Sequence, residues 1–163
     1  MDQGEFTVFY NETAAALRGY IRRVSGNEQA DDLLQEAYLR FLRAKPAVSD
    51  RAGMKAYLYK TATAAIYDCW RRHKRERLWA LAFRFREDVP PAAEESGDVT
   101  RSFRKLNPRE RALLWLAYVE GYSHNEIAAT LDLREKSIKV LLFRARRNLE
   151  RILRQNGLSE VQP

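Results

Sequence analysis

The chain carries a single cysteine, Cys69, among 163 residues. One cysteine closes no internal disulfide and builds no Cys-based zinc site, which fits a reducing compartment. There are only two histidines, His73 and His124, far apart in the sequence. Without partner ligands nearby, each reads as a surface residue rather than a metal ligand. Glycine is scarce, seven in all, and none of it makes a phosphate-binding loop. No apolar run approaches the roughly 18 residues of a spanning helix. The opening "MDQGEFTVFY" has no basic start and no long apolar stretch, so no secretory signal is expected and a cytoplasmic setting is. No cofactor site, metal site, small-molecule substrate or catalytic constellation is legible, and the chain is not expected to be an enzyme.

What the chain does have is positive charge. The formal net charge is +7 and the pI about 9.7, which favours an acidic partner such as nucleic acid or an anionic membrane surface. With 45% hydrophobic residues it is globular rather than disordered. The apolar positions recur at helical, not alternating, spacing. Helices are expected over residues 12–24, ended near Gly26, over 29–44, stopped by Pro46, and over 54–81. "EDVPPAAEESGD" (87–98) then holds five acidic residues, no basic ones and two adjacent prolines, which reads as a linker. Beyond it, Asn107 before Pro108 makes an N-cap and first-turn pair. Gly121 ends that helix, and Ser123 with Glu126 forms a capping box for "HNEIAATL". "DLR" joins that segment to a last helix from about Arg134 to Leu153, the length of a helix-turn-helix. The fold expected is all-α: two small helical domains joined by an acidic, proline-containing linker, the second with a helix-turn-helix. The boundaries are 1–85, linker 86–102, and 103–156.

Three helix faces stand out. In the last helix Ile138, Leu142, Ala145 and Leu149 form a buried stripe at about 100° per residue. Lys136, Lys139, Val140, Phe143, Arg144 and Arg147 spread over the opposite side, so an aromatic ring sits among cations on the wet face. One reading is a solvated basic face with a stray ring. The other is a helix for the DNA major groove, where cations meet phosphates and guanine edges and an apolar group meets a thymine methyl. In helix 29–44 the stripe is Leu34, Ala37, Tyr38 and Phe41. Asp32, Gln35, Glu36, Leu39 and Arg43 lie opposite, either as a plain wet face or as a protein contact around an exposed leucine. In helix 54–81 the stripe is Leu58, Ala62, Ile66 and Cys69, which makes Cys69 a small core residue. Tyr57, Lys60, Ala64, Tyr67, Arg71 and Arg75 lie opposite. Cations interleaved with aromatics suit a strand with unstacked bases, or simply amphipathic packing with a basic tail.

The stretch from "LNPRERALLWLAYVEG" through "RARRNLERIL" resembles the −35-reading domain of bacterial sigma factors of the sigma-70 family, and in particular the extracytoplasmic-function (ECF) group. The likeness runs through Leu106-x-Pro108, Gly121-Tyr122-Ser123, Glu126-Ile127-Ala128, Lys139 and Arg144-Ala145-Arg146. It implies that Lys139, Val140, Phe143 and Arg144 face the promoter. "ADDLLQEAYLRFL" resembles the segment that docks on the clamp helices of the largest subunit of core RNA polymerase, with Asp32, Gln35 and Glu36 at its polar positions. "AYLYKTATAAIYDCWRRHKRE" resembles the −10-reading and melting segment, matched at Tyr57, Tyr59, Lys60, Asp68, Arg71 and Arg72. This chain departs from the family at Asp132 and Arg134 in the turn, at Val140-Leu141 where Ser-Arg is common, and at Ala64 where Asn is common. The resemblance implies an ECF-type sigma factor with core polymerase, promoter DNA and an anti-sigma factor as partners. It also implies a linker that threads toward the RNA exit path. An autonomous repressor or an enzyme acting on nucleic acid are the rival classes. The first would bind its operator without polymerase, and the second lacks any visible ligand set.

Overall fold

A computed structural model describes residues 1–26, 29–82 and 97–157, and every regular element among them is a helix. The order is α1 (Gln3–Ser25), α2 (Ala30–Ala44), α3 (Arg51–Ala82), α4 (Asp98–Arg104), α5 (Pro108–Tyr118), α6 (His124–Leu131) and α7 (Glu135–Gln155).

Helix α1 starts nine residues earlier than periodicity alone suggests. Asp2 caps it, accepting from the Glu5 amide at 2.8 Å while the Glu5 carboxylate accepts from the Asp2 amide at 2.9 Å. That reciprocal pair satisfies two orphan donors and nucleates the first turn. Gly26 closes the helix at φ 70°, a left-handed conformation that costs glycine little. Helix α2 ends at Lys45, also left-handed at φ 42°, directly before Pro46. The predicted caps of α5 and α6 both form: Asn107 with Glu110, and Ser123 with Glu126.

The expected stripes are buried. Leu34, Ala37, Tyr38 and Phe41 of α2 and Leu58, Ala62, Ile66 and Cys69 of α3 pack against Phe9, Leu17, Tyr20 and Ile21 of α1. Phe9 and Phe41 stack at 5.3 Å. Two pairs of buried hydroxyls meet in this core, Tyr20 with Thr63 and Thr13 with Tyr38, each at 2.7 Å, which offsets the cost of taking them out of water. In the second unit Leu113, Leu116, Ile127, Ile138, Leu142 and Ala145 form the centre. Leu149 is only partly buried, and Ile152 extends the stripe.

One feature differs from the sequence expectation. Residues 98–104, at the end of the stretch expected as linker, form helix α4. The residue that follows α7 ties it down: Asn156 Nδ2 donates to Ser102 Oγ at 2.8 Å, and Lys105 Nζ, just past α4, donates to Asn156 Oδ1 at 2.9 Å. Residues 83–96, which include most of the acidic stretch and both its prolines, lie outside the described residues. The two helical units touch. Helix α5 packs on α1, α6 packs on α3, and the buried side chains of both units form one continuous cluster.

Candidate nucleic-acid and polymerase interfaces

Helix α6, the turn 132–134 and helix α7 make the helix-turn-helix. Asp132 takes the left-handed position at φ 56°, and its amide donates to the Ala128 carbonyl. The following Leu133 amide donates to the same carbonyl at 2.9 Å. A short polar side chain is the best non-glycine tenant for such a site. Arg134 precedes α7 without a side-chain cap.

The exposed face of α7 is as the sequence predicts. Lys136, Lys139, Arg144 and Arg147 are all exposed, Val140 is 49% exposed and Phe143 54%. The Arg147 guanidinium lies over the Phe143 ring at 6.0 Å, so cation and ring share one surface. All six candidates of this helix are therefore displayed together, with apolar area at the centre and charge around it.

On α2, Asp32, Gln35 and Leu39 are exposed and Glu36 is partly so. Leu39 is 46% exposed, and Leu42, which the sequence reading did not single out, is 41% exposed beside it on the same face. Their i, i+3 spacing makes a small apolar patch rather than a lone leucine.

Helix α3 is more complicated. Lys60, Ala64, Asp68, Arg71 and Arg72 are exposed. The two tyrosines are not displayed as expected. Tyr57 is partly buried, its ring 6.1 Å from that of Phe41. Tyr67 is also partly buried, and its hydroxyl is enclosed without a hydrogen-bond partner among the described residues. Burial pushes the Tyr67 hydroxyl up to about 12, with Arg109 of α5 acting in the opposite sense. The i+10 spacing places both rings on the wet side of an isolated helix, but α3 is packed on more than one side.

One arginine that the sequence reading passed over ties the last two faces together. Arg40 Nε donates to Glu36 Oε1 at 2.7 Å, and its guanidinium also donates to Asp68 Oδ2 at 3.0 Å. Asp68 accepts a second bond from Arg71 at 3.0 Å. Partial burial works to raise the Asp68 carboxyl, but the bonds from Arg40 and Arg71 outweigh it and hold the group below its usual value. The bond to Glu36 raises Arg40 in turn. So Glu36 of α2 and Arg71 of α3 sit at the two ends of one alternating-charge chain. The Glu36/Arg40 spacing of four was the available signal for its first link. Asp68, placed among DNA-facing residues by resemblance, here orients two arginines. Toward the end of α3, Arg71, Arg72, Lys74, Arg75 and Arg77 are exposed, and Lys74 lies over the Trp70 ring at 5.1 Å. This is a basic surface with an aromatic platform, suited to a polyanion. Cys69 is buried, donating to Gln29 Oε1 at 3.3 Å. Among the described residues no helix is long and apolar enough to cross a membrane.

Comparison with known proteins gives two family matches: "Sigma-70 region 2" over residues 9–76 and "Sigma-70, region 4" over residues 96–149. The first falls on α1–α3 and the second on α4–α7. The chain is 28% identical over 152 residues to the ECF RNA polymerase sigma factor SigE of Mycolicibacterium smegmatis, covering 86% of this chain and 58% of that protein. It thus spans less than two thirds of that relative's length. It is 29% identical over 169 residues to the ECF RNA polymerase sigma factor SigL of Mycobacterium tuberculosis, covering 92% of this chain and 89% of the relative. Among solved structures it is similar to the sigma factor RpoE of Bartonella quintana, solved in complex with the anti-sigma factor NepR. The TM-score is 0.71 and the identity 23%, over 92% of this chain and 97% of that one.

Proposed function

Because the chain belongs to the sigma-70 family, in its ECF group, we propose that it binds core RNA polymerase, reads −10 and −35 promoter elements and starts transcription of a specific regulon. The observation that carries this reading is the order of the two family matches on two helical units, the second presenting a basic face with Phe143 at its centre. Residues 1–85 take the polymerase-docking and −10 role, and residues 103–156 the −35 role. Asp32, Gln35, Glu36 and Leu39, now joined by Leu42, dock on the clamp helices of the largest polymerase subunit. Lys136, Lys139, Val140, Phe143, Arg144 and Arg147 enter the major groove at the −35 element.

On α3, Lys60, Arg71 and Arg72 follow the backbone near the −10 element, with Tyr57, Ala64, Tyr67 and Asp68 on the same stretch. Physically the division of labour is clear. Cations supply affinity that falls with salt, while rings supply sequence discrimination and a platform for unstacked bases. The protein works by binding rather than by catalysis, in the cytoplasm, and an anti-sigma factor is its expected regulator.

The test is a titration of fluorescently labelled chain with core RNA polymerase, followed by capture of genomic fragments by the complex. The proposal requires saturable binding to core and fragment capture that depends on core. An autonomous repressor would capture the same fragments without polymerase.

A further inference from the structure

The last part of α3 differs from the rest of its helix. The buried residues of α3 end at Cys69, and none of residues 70–82 is buried. At about 1.5 Å per residue, that stretch is about 20 Å of helix beyond the core. The region 2 family match stops at residue 76, yet the helix runs on to Ala82. Leu81 at 77% and Trp79 at 65% are the most exposed large apolar side chains among the described residues, and Leu78 is 57% exposed. Just before them come Arg71, Arg72, Lys74, Arg75 and Arg77, all exposed.

Helical angles sort these side chains. At about 100° per residue, Arg77, Trp70, Leu81, Lys74, Leu78 and Arg71 fall in that order within an arc of about 120°. Cations and apolar groups are interleaved across it, and Lys74 lies over the Trp70 ring at 5.1 Å. Glu76 is the only carboxylate between Asp68 and Ala82, and it lies about 160° from the middle of the arc. The face is therefore basic and apolar, with no acid on it.

Such a face fits one kind of partner best. Nucleic acid takes the cations, but a leucine has no flat ring to stack on a base and releases no counterion at a phosphate. A second copy would set like charges against each other. An anionic bilayer accepts both kinds of group at once. Leucine and tryptophan sink to the boundary of headgroups and acyl chains, while the stems of lysine and arginine carry their charges to the phosphates.

We infer that residues 70–82 are a membrane-surface element: this end of α3 lies on a bilayer of anionic lipid, with Leu78 and Leu81 inserted and Arg71, Lys74 and Arg77 among the headgroup phosphates. The contact is peripheral and reversed by salt. Arg71 also belongs to the proposed promoter face, so lipid and promoter compete for this end of α3. The lipid contact itself does not rest on the promoter-reading role.

The experiment uses the full chain and two double variants, Leu78→Ser/Leu81→Ser and Lys74→Gln/Arg77→Gln. None of these four residues belongs to the proposed DNA or polymerase faces. None is buried, so circular dichroism should match the wild type. Flotation and tryptophan emission read binding to vesicles of phosphatidylcholine, alone or with about one third phosphatidylglycerol. The wild type should bind the anionic vesicles with a blue shift in emission, bind them less as salt rises, and leave the neutral vesicles unbound. The serine variant should bind the anionic vesicles about tenfold more weakly or worse, because both leucines have more than half of their surface still to cover. The glutamine variant should lose about tenfold through charge. A duplex of arbitrary sequence should bind the wild type and the serine variant equally. Failure of the wild type to bind anionic vesicles would overturn the inference. So would equal vesicle binding by the serine variant, which would leave charge attraction alone. A serine variant that loses affinity for the duplex rather than for vesicles would assign the face to nucleic acid and overturn the inference as well. Vesicle binding involves neither polymerase nor promoter, so failure of the sigma-factor reading would show elsewhere, as a lack of core-dependent transcription.

Discussion

Replacing Phe143 by alanine isolates what the ring contributes to −35 reading. The ring is 54% exposed, so a DNA groove has about half of it left to cover. An aromatic side chain has roughly 150–250 Å² to bury in total, so about 100 Å² is available. At about 25 cal/mol per Å², full cover is worth about 2.5 kcal/mol, a ceiling of roughly 70-fold in Kd. A groove wall covers one side of a ring, so a loss of about 1–2 kcal/mol, or roughly five- to thirtyfold, is expected. Folding stability should change by less than about 0.5 kcal/mol, because the ring faces away from the core. The partner group proposed for the ring is a thymine methyl, and deoxyuridine removes that methyl alone. One methyl is worth about 0.8 kcal/mol, about fourfold. The assay is anisotropy on a −35 duplex from a promoter the holoenzyme uses, with thymine or deoxyuridine at each position. For wild type, one position should lose about fourfold on demethylation. For Phe143→Ala that position should lose nothing further. The slope of log Kd against log salt should be the same for both proteins, since a ring releases no counterions. The reasoning fails if every deoxyuridine costs the alanine variant as much as the wild type, or if the salt slope falls.

Leu39→Asp with Gln35→Ala should weaken binding to core polymerase by about 2 kcal/mol or more, the scale of an interface hot spot, with unchanged circular dichroism; undiminished affinity would remove this face of α2 from the interface. Arg40→Gln should shift stability by no more than about 1 kcal/mol, since both its ion pairs are largely exposed, yet should weaken holoenzyme binding to promoter DNA by freeing Arg71 from its chain of contacts; promoter affinity equal to wild type would show the chain to be ornamental. Lys45→Gly should raise Tm by a few degrees, because it relieves about 1 kcal/mol of left-handed strain at φ 42°; a lower Tm in a thermal melt would contradict that. Burial raises the hydroxyls of Tyr20, Tyr59, Tyr67 and Tyr122, the last two to about 12. The folded chain keeps protons there that the unfolded chain releases near pH 10. Stability is therefore fully present below about pH 10 and lost as pH climbs from there toward about 12, and denaturant melts across that range should show midpoints that fall with pH.

Much of this molecule is legible one helix at a time. The stripe of α7 and its basic opposite face follow from 100° steps, because a strongly amphipathic helix buries the same side in almost any context. The caps at Asn107 and Ser123 are local chemistry and form as read. The first turns of α1 were missed because Gly4, Thr7 and Val8 are weak helix formers and the capping box of Asp2 and Glu5 offsets them. Helix α4 is not legible locally, since its bonds to Asn156 reach some fifty residues along the chain. Helical spacing puts Tyr57 and Tyr67 on a wet face only where a helix has one packed side. Their partial burial comes from neighbours distant in sequence. Arg40 is a mixed case: its bond to Glu36 is within reach of sequence, but its bond to Asp68 needs α2 and α3 side by side.

The most direct measurement is run-off transcription with core RNA polymerase on sheared genomic DNA, with and without this chain. Discrete transcripts should appear only when both proteins are present. Their start sites should align on two common upstream elements near −10 and −35, and Arg144→Ala should reduce the transcripts. No chain-dependent transcripts, despite confirmed binding to core, would contradict the account.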